Sequence, residues 1–368
     1  MTQLEGYRDP EIARRLVAAI RSTVRDTLRV IEFCGGHTHA IMRFGLRDAL
    51  APSIEMLSGP GCPVCVTASS DIDQAVSLGS RPDVTLTTFG DLIRVPGSVE
   101  SLQEARARGN DVRVVYSALD SLQFAREQPE REVVMLGIGF ETTAPTVAAA
   151  VLQAQREGLR NWSVYSMHKL TAPAMRAILD AGEVAIDAVL GPGHVAAITG
   201  WKAWGFMPSE YGVSCTVAGF ELNDILQALL LLARDAAAGV TRVSNSYGRG
   251  VTEEGNRTAQ ALMQQVFCRS EAAWRGLGVI PESGLAIAPA FADYDARQRF
   301  GLPALPEGPI DAEAQRGCRC GEVLRGIRLP EECPLFGRGC TPVHPVGPCM
   351  VSAEGSCAAH YRYRRVAG

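Results

Sequence analysis

The sequence predicts an α/β protein with two Rossmann-like, parallel-sheet domains and a small cysteine-rich domain behind them. Three observations carry that prediction. Short apolar, β-rich runs recur, each ending in a glycine-containing loop and followed by a helical pattern. Strands that alternate with helices imply parallel sheets with helices on their faces. Six of the eleven cysteines fall between Cys318 and Cys357, in a stretch with many turn residues and little periodicity. At 368 residues the chain is also too long for one ordinary core. The expected division is a first α/β domain over 1–130, a second over 131–300 with the boundary near Pro129–Arg131, and a small cysteine-rich domain over 310–368.

The elements follow in order. Asp9 to Val30 has apolar residues near helical spacing and reads as a helix. RVIEFCGG is then followed by HTHAIMRFGLRDAL, and SIEMLSGPGCPVC by ASSDIDQAVSLG. VTLTTFGD comes next, then VRVVYSALD with SLQFAREQ. Beyond the boundary, EVVMLGIGFETT precedes APTVAAAVLQAQREG, WSVYSMHK precedes APAMRAILDAG, and AVLGPGH precedes VAAITGWKAW. Glu254 to Arg269 reads as a further helix, and Gly301 to Pro309 as a linker. Beyond it, a domain with so few periodic apolar residues should be organised by metal.

Composition narrows the function classes. The chain is 46% hydrophobic and 21% charged, with a net charge of −4, so neither nucleic acid nor an anionic membrane is indicated as a partner. Arg362, Arg364 and Arg365 read as a solvated basic tail. The first twenty residues are polar and charged and do not read as a secretory signal. The longest apolar stretch, Ile225 to Ala233, is too short to span a bilayer. A cytoplasmic protein is expected. In that reducing compartment eleven cysteines point to metal or redox chemistry, not to a disulfide framework. Cys215 and Cys268 look like ordinary core or surface thiols.

Four loops at expected strand ends carry candidate chemistry. In Cys34-Gly35-Gly36-His37-Thr38-His39 the glycines allow close approach, and the helix that follows should stabilise an exposed Cys34 thiolate flanked by the imidazoles of His37 and His39. A soft thiolate beside imidazoles suits iron binding or nucleophilic chemistry; the plainer reading is a buried cysteine with hydrogen-bonded histidines. In Gly59-Pro60-Gly61-Cys62-Pro63-Val64-Cys65 a C-x-x-C stands between strand and helix, the arrangement of a thiol–disulfide pair. No second C-x-x-C completes a conventional zinc site. Gly137-Ile138-Gly139-Phe140-Glu141-Thr142-Thr143 begins like a dinucleotide fingerprint but lacks its third glycine. Glu141 is an acid, a base, a partner-binding carboxylate or a helix cap. Gly191-Pro192-Gly193-His194 adds a lone histidine, read as structural. Walker A, H-E-x-x-H and C-x-x-x-C-x-x-C signatures are absent.

In the last stretch Cys318, Cys320, Cys333, Cys340, Cys349 and Cys357 supply six thiols where four suffice for a 4Fe–4S cluster or for zinc. The surplus suggests a disulfide exchanging electrons with a cluster. Spacing alone does not choose four of the six, and His344 or His360 could replace one.

The phrases FCGGHTHAI, GPGCPVC, TFGDLIRVPGS, GFETTAP, GPGHV and CPLFGRGCTPVHPVGPCMVSAEGSC appear in this order. Together they strongly resemble the HypD family of NiFe-hydrogenase maturation factors, over roughly residues 10 to 365. The resemblance implies two Rossmann-like domains and a small 4Fe–4S domain. It further implies a scaffold that works with the chaperone HypC and the cyanide donor HypE. On it, one iron acquires two cyanides and one carbon monoxide before delivery to the hydrogenase large subunit. Carried over by motif, Cys34 would be the iron-binding cysteine, with Cys62 and Cys65 as a dithiol/disulfide pair beside the iron. Cys318, Cys333, Cys340 and Cys357 would hold the cluster, and Cys320 and Cys349 would be an extra redox pair, similar to the cluster-plus-disulfide arrangement of ferredoxin:thioredoxin reductase. Such a protein is a redox-active assembly scaffold more than a turnover enzyme. Two other readings compete: a stand-alone iron–sulfur thiol–disulfide reductase, and a colourless zinc scaffold.

Overall fold

Asp9 fixes the start of the first helix. Its side chain accepts hydrogen bonds from the backbone N–H groups of Glu11 and Ile12, and Pro10 needs no partner at the first helical position. The helix runs Pro10–Thr23 and stops there, because Leu28 already enters the first strand. It is shorter than the expected span to Val30. The computed structural model describes residues 5–363; Arg364 and Arg365 of the basic tail lie outside the described residues.

Among the described residues eleven strands follow one another. They are β1 (Leu28–Glu32), β2 (Ile54–Ser58), β3 (Val84–Thr88), β4 (Val112–Val114), β5 (Glu132–Gly137), β6 (Trp162–Ser166), β7 (Ala188–Pro192), β8 (Ser214–Ala218), β9 (Val243–Asn245), β10 (Phe267–Trp274) and β11 (Gly278–Ile287). A five-stranded sheet has the order β2-β1-β7-β8-β9 and a four-stranded sheet the order β4-β3-β5-β6. Both are parallel throughout, so the α/β class and the parallel sheets are as expected. β10 and β11 form an antiparallel pair. The first three residues of β10, Phe267 to Arg269, lie in sequence read as the end of a helix; the helix is Arg257–Val266 and gives way directly to β10.

The expected division at residue 130 needs correction. β7, β8 and β9 lie beyond it, yet β7 pairs with β1. β3 and β4 lie before it, yet β3 pairs with β5. Each sheet therefore takes strands from both sides of Pro129–Arg131. The chain starts the five-stranded sheet, leaves to build the four-stranded one, and returns. Parallel pairing needs only a crossover of sufficient length, so the closing strand can come from far along the chain.

Burial follows the alternation of the strands. Leu28, Val30, Ile54 and Met56 turn to a core shared with the helices Pro10–Thr23 and Leu222–Ala238. Val133 and Met135 turn to a second core with the helices Ala118–Glu127 and Ala144–Glu157. Ile31, Leu57, Val134 and Leu136 turn the other way, into one cluster between the sheets. Cys318, Cys349, Leu324, Met350 and Ala358 join that same cluster, so the cysteine-rich segment packs into the main body. The expectation that metal alone organises it has to be corrected: apolar contact with the two sheets does part of that work.

Candidate metal and thiol site

The order of the five-stranded sheet decides what meets at its carboxyl edge. The loops after β2, β1, β7 and β8 stand side by side there, and they are GPGCPVC, FCGGHTH, GPGH and AGFE. This edge is where parallel sheets bind ligands.

Cys34 stands at the start of the helix Gly35–Arg43. Its own N–H donates to Glu32 Oε2 at 2.8 Å, and Thr38 Oγ1 donates to the other oxygen of the same carboxylate. Glu32 is thus the strut that fixes the Cys34 turn. It is buried, and burial pushes its carboxyl up to about 8. Gly35 N–H donates to the Gly61 carbonyl at 3.1 Å. A Cβ on Gly61 would overlap the backbone of Cys34. The first two loops therefore touch through backbone, and glycine is required for it.

Cys62 and Cys65 are joined as a disulfide with a Cα–Cα distance of 5.2 Å. Cys62 caps the short helix Pro63–Val66, and Cys65 N–H donates to its sulfur at 3.2 Å. Both are buried, at 3% and 0% exposure. Cys65 Sγ lies 3.8 Å from the Pro348 carbonyl, next to Cys349. A Cβ on Gly35 would sit 2.5 Å from Glu354 Cβ. Two turns of the cysteine-rich segment thus close over the two loops. The TFGDLIRVPGS motif holds them there: Ser352 Oγ donates to Asp91 Oδ2 at 2.8 Å, and Arg94 Nη2 donates to the Val351 carbonyl at 2.9 Å.

The expected setting of Cys34 needs two corrections. Its thiol is buried, with 6% exposure, and burial, then the Glu354 and Glu32 carboxylates, push it up to about 12. In the absence of metal it is a protonated, packed thiol, not an exposed thiolate, because desolvation outweighs the helix start. Nor do His37 and His39 flank it. His37 Nε2 donates to the Ala218 and Gly219 carbonyls at 3.2 and 3.0 Å, and burial lowers its ring to about 4. His39 faces the C-terminal helix, with Nδ1 3.4 Å from the Ala353 carbonyl and Nε2 3.1 Å from the Tyr363 hydroxyl. The imidazole beside Cys34 is that of His194, whose Nδ1 is 4.0 Å from Sγ. Phe220 stacks between His37 and His194, with centroid distances of 4.8 and 3.7 Å, and sets both rings. Glu141 accepts from Thr171 N–H and Oγ1, each at 2.8 Å, and caps the helix Thr171–Ala181. It makes no hydrogen bond to Cys34, Cys62 or Cys65.

His194, Glu354 and Glu32 are the residues that motif reading left out. His194 carried a signal, the Gly-Pro-Gly-His loop, but no partner in sequence. Glu354 is 320 positions from Cys34 and carried none.

All six C-terminal cysteines are buried. Cys318, Cys320, Cys349 and Cys357 are neighbours, and burial together with the adjoining thiols raises each of them above the ordinary thiol value. Cys340 Sγ accepts from Val346 N–H at 3.3 Å. A Cβ on Gly347 would come within 2.6 Å of Cys318 Sγ, so the backbone is recessed around the sulfurs. Thiols are soft donors, the kind an iron–sulfur cluster takes as ligands. Cys320 touches Cys349, but each also touches a neighbour from the set of four. Among the described residues no three His, Cys, Asp or Glu side chains stand as a formed metal site, and the packing singles out no four ligands.

Comparison with known proteins follows the same outline. The family model HypD, described as "Hydrogenase formation hypA family", matches residues 11–364. The chain is 45% identical to "Hydrogenase maturation factor HypD2" of Bradyrhizobium diazoefficiens, over 99% of this chain and 97% of that protein. It is 44% identical to "Hydrogenase maturation factor HypD" of Rhodobacter capsulatus, over 97% of each. With the protein of the same name from Escherichia coli K12 it shares 43%, over 99% of each.

Proposed function

The chain belongs to the HypD family of hydrogenase maturation factors, and on that premise we propose that it is a cytoplasmic, redox-active scaffold that holds one iron at Cys34 while cyanide and carbon monoxide are attached. A HypC-type chaperone shares the iron, a HypE-type protein donates cyanide, and the hydrogenase large subunit receives the product. The observation that carries this reading is the backbone contact between the Cys34 loop and the Cys62–Cys65 disulfide loop, under a lid drawn from the cysteine-rich segment.

The site's own residues divide the work. Iron is the cargo, and its binding displaces the Cys34 proton. His194 Nδ1, 4.0 Å from Sγ, is the imidazole nearest to that proton. Glu32 keeps the Cys34 amide fixed while the sulfur changes charge. Two electrons and two protons open the Cys62–Cys65 disulfide to a dithiol beside the iron. Cys318, Cys333, Cys340 and Cys357 would hold a 4Fe–4S cluster, leaving Cys320 and Cys349 as a second pair. When bound, that cluster supplies single electrons.

Anaerobic co-purification with a HypC-type partner, followed by infrared spectroscopy, tests the proposal. Cyanide and carbonyl stretches are expected from the native complex and none from Cys34→Ala. Equal stretches from that variant would overturn the iron assignment.

A further inference from the structure

The Cys34 site is closed. Cys34 is 6% exposed, and Glu354 lies across the turn beside it, with its Cβ and carbonyl oxygen against Gly35. An iron that is to take up further ligands at Cys34 needs room that this cover does not leave, so part of the cover has to move.

The cover divides into a base and a tip. Met350 and Val351, in the base, are 1% and 4% exposed and belong to the apolar cluster between the sheets. Cys349 and Cys357 on either side are buried as well. The tip is the turn 352–355, closed by the Gly355 N–H donating to the Ser352 carbonyl at 2.9 Å. Ala353 and Glu354 within it are exposed. Two polar contacts hold the tip from opposite flanks. Ser352 Oγ donates to Asp91 Oδ2 at 2.8 Å, and Asp91 follows β3 of the four-stranded sheet. His39 Nδ1 donates to the Ala353 carbonyl at 3.4 Å, which leaves Nε2 to accept from the Tyr363 hydroxyl at 3.1 Å. Asp91 is exposed and the His39 bond is long, so water competes for both. A segment held by exposed hydrogen bonds, on a base held by apolar burial, opens before the rest of the fold does.

We propose that the turn 352–355 is a gate over Cys34, and that Asp91 and His39 are positioning residues that latch it shut. The latch takes up two motif residues that make no hydrogen bond to Cys34: Asp91 of TFGDLIRVPGS and His39 of FCGGHTHAI. When the tip lifts from Gly35, the base and the flanking cysteines stay packed, so the gate opens without unpacking the cysteine-rich segment. The inference rests on the reading of Cys34 as the iron site.

Alkylation of the full chain by iodoacetamide, kept anaerobic and given no partner, tests it, with each cysteine followed by peptide mass mapping. Where closing is faster than reaction, the rate at a covered thiol is proportional to its open population. Asp91→Ala removes a hydrogen bond to a charged acceptor and should raise the Cys34 rate about tenfold. Ser352→Ala removes the same bond from the other side, should act alike, and serves if the first variant does not fold. Asp91→Asn keeps an oxygen that accepts from Ser352 and should stay within about threefold of the native rate. Cys215, fully buried in β8 and no part of the latch, should react at its native rate in every variant. An unchanged Cys34 rate in folded Asp91→Ala or Ser352→Ala overturns the gate. Cys215 rising in the same proportion overturns it too, because the whole fold has then loosened. Asp91→Asn reacting as fast as Asp91→Ala would overturn the latch. Alkylation needs no iron, so this test can fail while the infrared test of Cys34→Ala succeeds, and the reverse.

Discussion

Removing Arg275 should loosen the cysteine-rich segment from the rest of the protein, at a cost that can be worked from its partners. The side chain is fully buried, and its partner Glu313 is 4% exposed, with Nη1 and Oε2 2.6 Å apart. Nε donates to the Thr67 carbonyl at 2.6 Å and Nη2 to the Pro96 carbonyl at 3.1 Å. One guanidinium therefore joins the β10–β11 pair, the stretch after Cys65, the TFGDLIRVPGS loop and the start of the cysteine-rich segment. Arg275→Met leaves Glu313 buried and unpaired, with only Ser69 Oγ at 3.4 Å and Cys320 Sγ at 3.6 Å near it. Breaking a buried pair from one side costs about 3–5 kcal/mol. Adding Glu313→Leu removes the stranded charge. What then remains is two carbonyls without donors, about 2 kcal/mol in total. The double variant should accordingly be more stable than Arg275→Met by about 1–3 kcal/mol. Urea titrations at pH 7.5, followed by tryptophan fluorescence, give the comparison, with the slopes checked for equality. Should the double variant match Arg275→Met within about 0.5 kcal/mol, the stranded-charge argument is refuted.

Gly61→Ala should abolish hydrogenase maturation while leaving the C-terminal cysteines packed, because the added Cβ overlaps the Cys34 backbone; normal maturation would show that the two loops need not touch. His168 should make the protein acid-labile. Burial holds its folded value at about 3, below the ordinary imidazole value of 6.5, so the unfolded state binds the extra proton. Stability is full above about pH 6.5 and falls as pH drops toward 3, by about 2 kcal/mol between 6.5 and 5. His168→Leu keeps the Ser166 bond to Leu285 and should lose that much less over the same interval; equal losses in denaturant titrations would remove His168 as the cause. Anaerobically prepared protein should carry about four irons and four sulfides in addition to any iron at Cys34. Stoichiometric zinc without sulfide would remove the cluster.

Local chemistry was legible in the sequence, and long-range pairing was not. The alternation of apolar runs, glycine loops and helical stretches marked most of the strands, because each of those signals lies within a dozen residues. FCGGHTH and GPGCPVC stood out for the same reason, and their glycines have the close contacts that such loops suggest. The β10–β11 pair was missed because no breaker separates Val266 from Phe267, so a helical reading ran on into the strand. Sheet membership was hidden at a deeper level. Backbone hydrogen bonds in a parallel sheet are formed by groups that every residue carries, so nothing in AVLGP marks it as the neighbour of LRVIE. Yet that one pairing brings His194 to Cys34, and it turns a division at residue 130 into two interleaved sheets. The state of Cys34 was likewise settled in three dimensions. Residue type and a helix start argued for a thiolate, but acidity depends on what surrounds the sulfur. Its surroundings include Glu32, two residues away, and Glu354, brought over the Gly35 backbone by the far end of the chain.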